Sequence, residues 1–173
     1  MKLITTTIFA LSLVLFSCKG GDPNVPGETK ENPLSFHVKD FMTGKVDPTK
    51  KTYYAIKGVP LTTYYSYTFK KKKYSLRKPT VKDAKTFYFP ILPKDYDGSK
   101  DEIKVFVYAS PSKFRAQTGQ LKTFIDFPDG EKVLKGKKKF FKVPKVILDV
   151  YRKKNIKIAP TDKILTVVLD TIE

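Results

Sequence analysis

The residues "ILTVVLDTI", positions 164–172, form a run near the C-terminus that indicates the class of fold. Isoleucine, valine and threonine fill most of its positions, and only Asp170 is charged. β-Branched side chains pack well on a pleated sheet, so this run favours a strand over a helix. A strand without a polar face is typical of one that is buried on both sides. We therefore predict a central, well-buried strand at residues 164–172.

Runs upstream of this strand alternate between apolar and polar residues, a pattern typical of half-buried strands. The alternating runs are residues 34–38, 87–91, 103–108 and 121–127. Residues 53–69 are also rich in strand-forming tyrosine and threonine, but Gly58-Val59-Pro60 interrupts them. About seven to nine short strands separated by turns predict an all-β domain. The predicted architecture is an antiparallel β-sandwich, immunoglobulin-like or transthyretin-like, or a small barrel.

Residues 144–154 are compatible with a short helix or with a strand. Pro144 suits the first turn of a helix. The apolar residues that would share one face of such a helix are Val146, Ile147, Val150 and Tyr151. The same residues would serve as a strand, so both assignments stay open at this stage.

The N-terminus has the three-part build of a secretory signal. Lys2 supplies a positive charge, and residues 3–16 are mostly apolar. Crossing a bilayer takes about 20 apolar residues, so this segment is too short for a transmembrane helix and fits a signal. Cys18, the only cysteine, follows the small residue Ser17. Ordinary secretion would leave its thiol unpaired in an oxidising compartment, which is unusual.

Leu15-Phe16-Ser17-Cys18 resembles the lipobox of bacterial lipoproteins. The resemblance implies that residues 1–17 are removed and that Cys18 carries a diacylglyceryl group, with fatty acids such as palmitate. Two or more acyl chains anchor a protein stably in a bilayer. Lys19 stands where an aspartate would imply retention in the inner membrane, so the resemblance implies the outer membrane. It leaves the leaflet open.

The rest of the chain divides into two parts. Residues 18–32 are rich in glycine and proline and are predicted to be a flexible tether that spans roughly 20 Å. Residues 33–173 are predicted to be a single β-domain, which at this size needs no disulfide or metal to hold its core.

Few residues indicate catalysis. Histidine occurs once, as His37, on the polar side of its alternating run, which favours a surface position. With no second histidine and no cysteine beyond Cys18, a zinc site has few ligands to use. The sequence contains neither a Gly-x-Ser-x-Gly motif nor a phosphate-binding glycine loop. We therefore predict a non-enzymatic protein without a cofactor.

Two further motifs admit a ligand, but each has a simpler structural explanation. Residues 95–102 place four carboxylates around Gly98, and carboxylate oxygens can bind Ca²⁺. Their spacing differs from that of an EF-hand loop, which favours a solvated turn and no metal. The tyrosines at 53–54 and 64–67 could stack on sugars, although alternating aromatic residues are more often the core face of a sheet.

Positive charge is the clearest functional signal. The chain has 34 Lys and Arg against 17 Asp and Glu, a formal net charge of +17. The excess is clustered, at residues 70–78, 135–145 and 152–157. Segments 136–143 and 151–158 share a spacing that resembles a consensus for heparin-binding segments. The candidate polyanion-binding residues are Lys137, Lys138, Lys139, Lys142, Arg152, Lys153, Lys154 and Lys157.

The local geometry of these clusters depends on their secondary structure. If segment 136–143 is extended, Lys137 and Lys139 point away from Lys138 and Lys142. If segment 151–158 is helical, Arg152 or Lys153 lies one turn from Lys157 on a common side. In both cases several ammonium groups fall within a Debye length of ~10 Å and sum to a positive patch.

The predicted partners follow from the anchor and the charge. They are the bilayer, through acylated Cys18, and an anionic polysaccharide, lipopolysaccharide or acidic protein surface. Nucleic acid is not an expected partner. The alternative function is a structural subunit of a cell-envelope complex, whose basic face docks on a fixed protein neighbour.

Overall fold

A computed structural model of the chain describes residues 21–61, 66–69, 83–98, 100–113, 130–140 and 142–173. Its strands are β1 (Leu34–His37), β2 (Tyr53–Pro60), β3 (Ser66–Phe69), β4 (Ala84–Leu92), β5 (Val105–Ala109), β6 (Lys132–Lys138) and β7 (Leu165–Ile172). Its helices include α1 (Val38–Met42), α2 (Lys145–Arg152) and a 3₁₀ turn (Thr161–Lys163). The lipobox with Cys18, the run at 121–127 and the basic residues 70–78 lie outside the described residues.

The strands form one seven-stranded sheet in the order β1-β2-β6-β7-β5-β4-β3, and β2 also pairs with β4. This additional pairing joins β2, β6, β7, β5 and β4 into a closed ring. Closing a sheet removes the exposed edges that would otherwise invite pairing with other chains. The all-β prediction is therefore confirmed, and the architecture corresponds to its small-barrel alternative.

The run at 164–172 forms the central strand that its composition predicts. β7 pairs with β6 on one side and with β5 on the other. The β5–β7 pair is parallel, as is the β1–β2 pair, so a purely antiparallel sheet was the wrong expectation. The alternation of side chains has the same period in parallel and antiparallel strands, so it cannot reveal strand direction.

Gly58 marks the point at which β2 changes partner. Residues 53–58 pair with β6, whereas Val59 and Pro60 pair with β4. A Cβ atom on Gly58 would lie 2.6 Å from Ile91 Cγ2, so only glycine lets the two strands approach this closely. The interruption predicted at 58–60 is therefore a corner of the barrel, and the strand continues through it.

The barrel has a hydrophobic core on each side of β4 and β5. Alternate residues such as Phe87 and Val107 point into the barrel, where Leu165, Val167 and Leu169 of β7 join them. The residues between them form a second core under α2; they are Tyr88, Leu92 and Phe106. These two strands are buried on both faces because α2 covers the outer one.

Helix α2 settles the assignment that the sequence leaves open for residues 144–154. Ile147, Leu148 and Tyr151 are buried, and the Tyr151 ring meets Phe106 edge-on at a centroid distance of 5.3 Å. The face predicted for this helix was partly wrong, because Val146 is 63% exposed. Spacings of one and four residues place the buried three on one side of the helix.

Residues 22–32, which we call the hook, are bonded to the barrel. The carbonyl oxygen of Gly27 accepts the N–H groups of Thr52 and Tyr53, each at 2.9 Å. Lys30 Nζ lies 2.5 Å from Asp170 Oδ2 on β7. This differs from the flexible tether expected at 18–32. Gly27 has a φ of 85°, a left-handed conformation that glycine adopts easily and that composition does not reveal.

Candidate cationic surface

The predicted basic segment at 136–143 begins in β6 and continues past its end. We call residues 137–142 the basic segment. Strand β6 was not predicted, because its sequence, KVLKGKK, has four lysines and a glycine and little strand propensity. It forms because β2 and β7 offer hydrogen-bonding edges on both sides, with Leu134 and Gly136 facing the core.

The lysines of the basic segment have different surroundings. Lys137 is exposed, and its ammonium lies 5.4 Å from the centre of the ring of Tyr53, its cross-strand neighbour. Lys138 is held at both ends: its Nζ donates to Thr49 O, and its backbone N–H donates to Thr52 O at 2.6 Å. Lys138 therefore has a structural contact, while Lys137 presents its charge to solvent.

Lys139 is half-buried between two tyrosines. Its Nζ lies 3.4 Å from the centre of the Tyr108 ring and 5.3 Å from that of Tyr88. It also donates to Tyr88 Oη at 3.2 Å. Burial lowers the pKa of Lys139, while the faces of the two rings stabilise its charged form. This lysine stabilises the outer face of the barrel and offers little charge to a partner.

We predict that Lys139→Gln lowers the free energy of unfolding by about 1–2 kcal/mol, since it removes a partly desolvated cation–π contact. Urea denaturation followed by circular dichroism measures this change. The matched control is Lys142→Gln at an exposed position, which should stay within about 0.5 kcal/mol of the unmodified protein. Equal effects of the two substitutions would contradict a structural role for Lys139.

The distal part of the segment is open to solvent. Lys142 is exposed, and so is Lys145 at the start of α2. Phe140 is 81% exposed. The phenylalanines of β4 and β5, in contrast, are buried in the two cores. The basic segment therefore presents an aromatic side chain among exposed ammonium groups.

The basic residues of segment 151–158 do not form the helical arrangement considered for them. Helix α2 ends at Arg152, and Asn155 adopts a left-handed φ of 58°. Lys157 consequently lies past the helix, where its carbonyl accepts the N–H of Ile103. Arg152 is partly neutralised by Asp149, at 3.2 Å. Further exposed basic residues here are Lys153 and Lys154.

Carboxylates in the described ranges pair with lysines away from the basic segment. Asp170 bridges Lys30 and Lys113, and these ammonium groups hold its pKa below the usual range. Glu173 pairs with Lys135 at 2.7 Å. No carboxylate in the described part of the chain pairs with Lys137, Lys138, Lys139 or Lys142. The basic segment is therefore a local excess of positive charge.

His37, the single histidine, was predicted to lie at the surface; its side chain is 28% exposed and also has a structural role. Its Nδ1 accepts the N–H of Lys39 and caps α1, at 3.1 Å. Its Nε2 lies 2.5 Å from Glu131 Oε1, and this bond lowers the pKa of the Glu131 carboxyl. Both ring nitrogens are thus used in holding α1 and the start of β6.

The turn at residues 95–102, with its four carboxylates, borders a cleft of about 440 Å³. Three lysines and three carboxylates line this cleft: Lys39, Lys100, Lys104, Asp95, Asp101 and Glu102. Lys39 pairs with Asp95 and lowers the pKa of that carboxyl. Within the described ranges, no three His, Cys, Asp or Glu residues are grouped so that they could hold a metal ion. The lysines that line the cleft therefore match its carboxylates in number.

Comparisons add no relatives: no protein-family model, curated protein or solved structure matches this chain. None of the helices in the described ranges has the length and hydropathy needed to cross a bilayer.

Proposed function

We propose that this protein is a lipid-anchored, non-enzymatic lipoprotein of the bacterial outer membrane that engages an anionic partner through its basic segment. The anchor rests on the resemblance of residues 15–18 to a lipobox. The binding role rests on the charge excess of the β-domain. An anionic polysaccharide, lipopolysaccharide or an acidic protein surface would complement that charge.

The observation that carries the proposal is the distribution of ion pairs. Lys137 and Lys142 are exposed, and no described carboxylate neutralises them. Lys137 stands on a rigid base, because β6 is bonded to strands on both sides. Lys137 and Lys142 are five residues apart in the chain, and charges within a Debye length of ~10 Å add their potentials. A preorganised positive patch of this kind attracts an anionic partner at little entropic cost.

The alternative is a structural subunit of an envelope complex. Val146 and Val150 support it, because they lie one turn apart on α2 and remain exposed at 63% and 38%. Exposed apolar residues on a rigid helix suit a protein neighbour. This alternative predicts a stable complex in detergent extracts and weak binding of purified protein to polyanions.

The proposal predicts salt-dependent heparin binding that depends on the basic segment. For nucleic acids, each neutralised phosphate contributes about 0.7–0.9 to the slope of log affinity against log salt, and we carry this rule over by analogy. Lys137→Gln with Lys142→Gln should therefore reduce the slope by about 1.5. Titration of the full chain with heparin at several NaCl concentrations measures it.

A matched pair separates specific binding from net charge. Lys45→Gln with Lys94→Gln removes the same charge from exposed positions elsewhere. Equal slope losses in the two variants would mean that binding reflects net charge alone and would refute a role for the basic segment. An absence of heparin binding at ~0.15 M salt, with a stable protein complex in membrane extracts, would favour the alternative.

A further inference from the structure

The hook limits how far the barrel can lie from its anchor. Asp22 N–H donates to Glu28 Oε2 at 3.0 Å, and Asn32 Nδ2 donates to Pro23 O at 2.9 Å. These bonds, with those of Gly27 to the start of β2, fix the hook on the barrel. Only three residues lie between Cys18 and Asp22, so their Cα atoms are four residue steps apart. Even fully extended they span about 14 Å, much less than a free tether of residues 18–32 could.

Thr52 links the hook to the basic segment. Gly27 O accepts the N–H of Thr52, and Thr52 O in turn accepts the N–H of Lys138. The next residue of β2, Tyr53, is the cross-strand partner of Lys137. A lipid on Cys18 would therefore hold this part of the barrel near the bilayer surface.

The side chains presented there have the chemistry of a membrane contact. Phe140 is 81% exposed, which gives an aromatic ring access to the boundary between headgroups and acyl chains. Lys142 and Lys145, both exposed, follow it in the chain and can pair with lipid phosphates while their aliphatic stems cover apolar surface. An aromatic residue flanked by lysines distinguishes this patch from a purely polar polyanion site.

We infer that Phe140, Lys142 and Lys145 contact the phosphate-bearing surface of the bilayer that holds the lipid anchor. This inference deepens the proposed function and rests on its anchor: the anionic partner is the membrane itself. Phe140 inserts into the interface, and the lysines bind the phosphates around it. The barrel then lies against the membrane in one orientation, with the hook and the basic segment facing the lipid.

Phe140→Trp tests the contact, because the chain has no tryptophan of its own. The full-length gene is expressed, and the mature protein is placed in phosphatidylcholine vesicles with or without phosphatidylglycerol. In anionic vesicles we expect the emission of the introduced indole to shift to shorter wavelength and to be quenched by brominated acyl chains. Lys45→Trp, an exposed position after α1, is the control and should show neither change.

Charge variants in the Phe140→Trp background test the lysines. One lysine near an anionic surface changes partitioning about fivefold, so Lys142→Gln with Lys145→Gln should lower the ratio of contacting to free barrel about 25-fold. Lys45→Gln with Lys94→Gln should leave quenching of the indole unchanged.

An unquenched indole in an acylated, vesicle-bound Phe140→Trp protein would overturn the inference. An indole that responds to heparin but not to vesicles would overturn it as well. The acyl mass on Cys18 is measured separately, so a missing anchor refutes the proposed function and is not confused with a missing contact.

Discussion

Cys18→Ser is expected to abolish the acylated, mature form of the protein. A serine hydroxyl cannot form the thioether that carries the diacylglyceryl group, and cleavage by signal peptidase II depends on that modification in the lipoproteins that residues 15–18 resemble. One acyl chain gives only marginal membrane binding and two give stable anchoring, so loss of the modified cysteine removes the anchor completely. The unprocessed chain, with residues 1–17 still attached, should accumulate.

Mass spectrometry of the N-terminal fragment and separation of membrane from soluble fractions measure this outcome. Ser17→Ala is the matched control, because it keeps a small residue before the cysteine and should be processed normally. Globomycin should reproduce the effect of Cys18→Ser in the unmodified protein. A mature, soluble, unacylated protein in untreated cells would refute the anchor.

Gly136→Val is expected to prevent the barrel from closing. A Cβ atom at this position would lie 2.3 Å from Val168 O and 2.6 Å from Val167 Cγ1, so β6 could keep its pairing with β7 only if the backbone moved. The register also shifts between Lys135 and Gly136, where Asp170 of β7 has no partner on β6, so the pairing is already irregular at this residue. Overpacking typically costs about 1–3 kcal/mol and more where backbone must shift, a large part of a total stability of about 5–15 kcal/mol.

Urea denaturation and circular dichroism of Gly136→Val should show a strongly destabilised or unfolded chain, with Gly136→Ala in between. Gly98→Ala is the control, since its nearest contact would be an ordinary 3.5 Å to the Tyr96 ring. It should change stability by less than about 0.5 kcal/mol. A Gly136→Val protein as stable as the original would contradict the close packing of β6 on β7.

Strands with a clear pattern could be predicted from composition. The alternating run at 87–91 lies within β4, and the β-branched run at 164–172 forms β7, because burial on one or two faces selects those side chains directly. Strand β6 could not be predicted, since its lysines carry no apolar pattern. Its pairing depends on edges supplied by β2 and β7, which are distant in the chain.

The charge and its clustering, the single cysteine in its lipobox-like setting and the all-β class could all be read from residue types alone, because each depends on local composition or on side-chain period. The sequence also limited the segment at 144–154 to two alternatives. Burial of Tyr151 against Phe106 decided for the helix, and that contact exists only in the folded chain.

The availability of each lysine depended on contacts between distant residues. Lys137, Lys138 and Lys139 are equivalent in composition, yet Lys138 is bonded to Thr49 and Lys139 lies between Tyr88 and Tyr108. The pairing of β7 with both β6 and β5, and of β5 with β4, brings those tyrosines to the end of β6. A charge pattern records how many cations a segment has, whereas long-range packing decides which of them remain free to meet a partner.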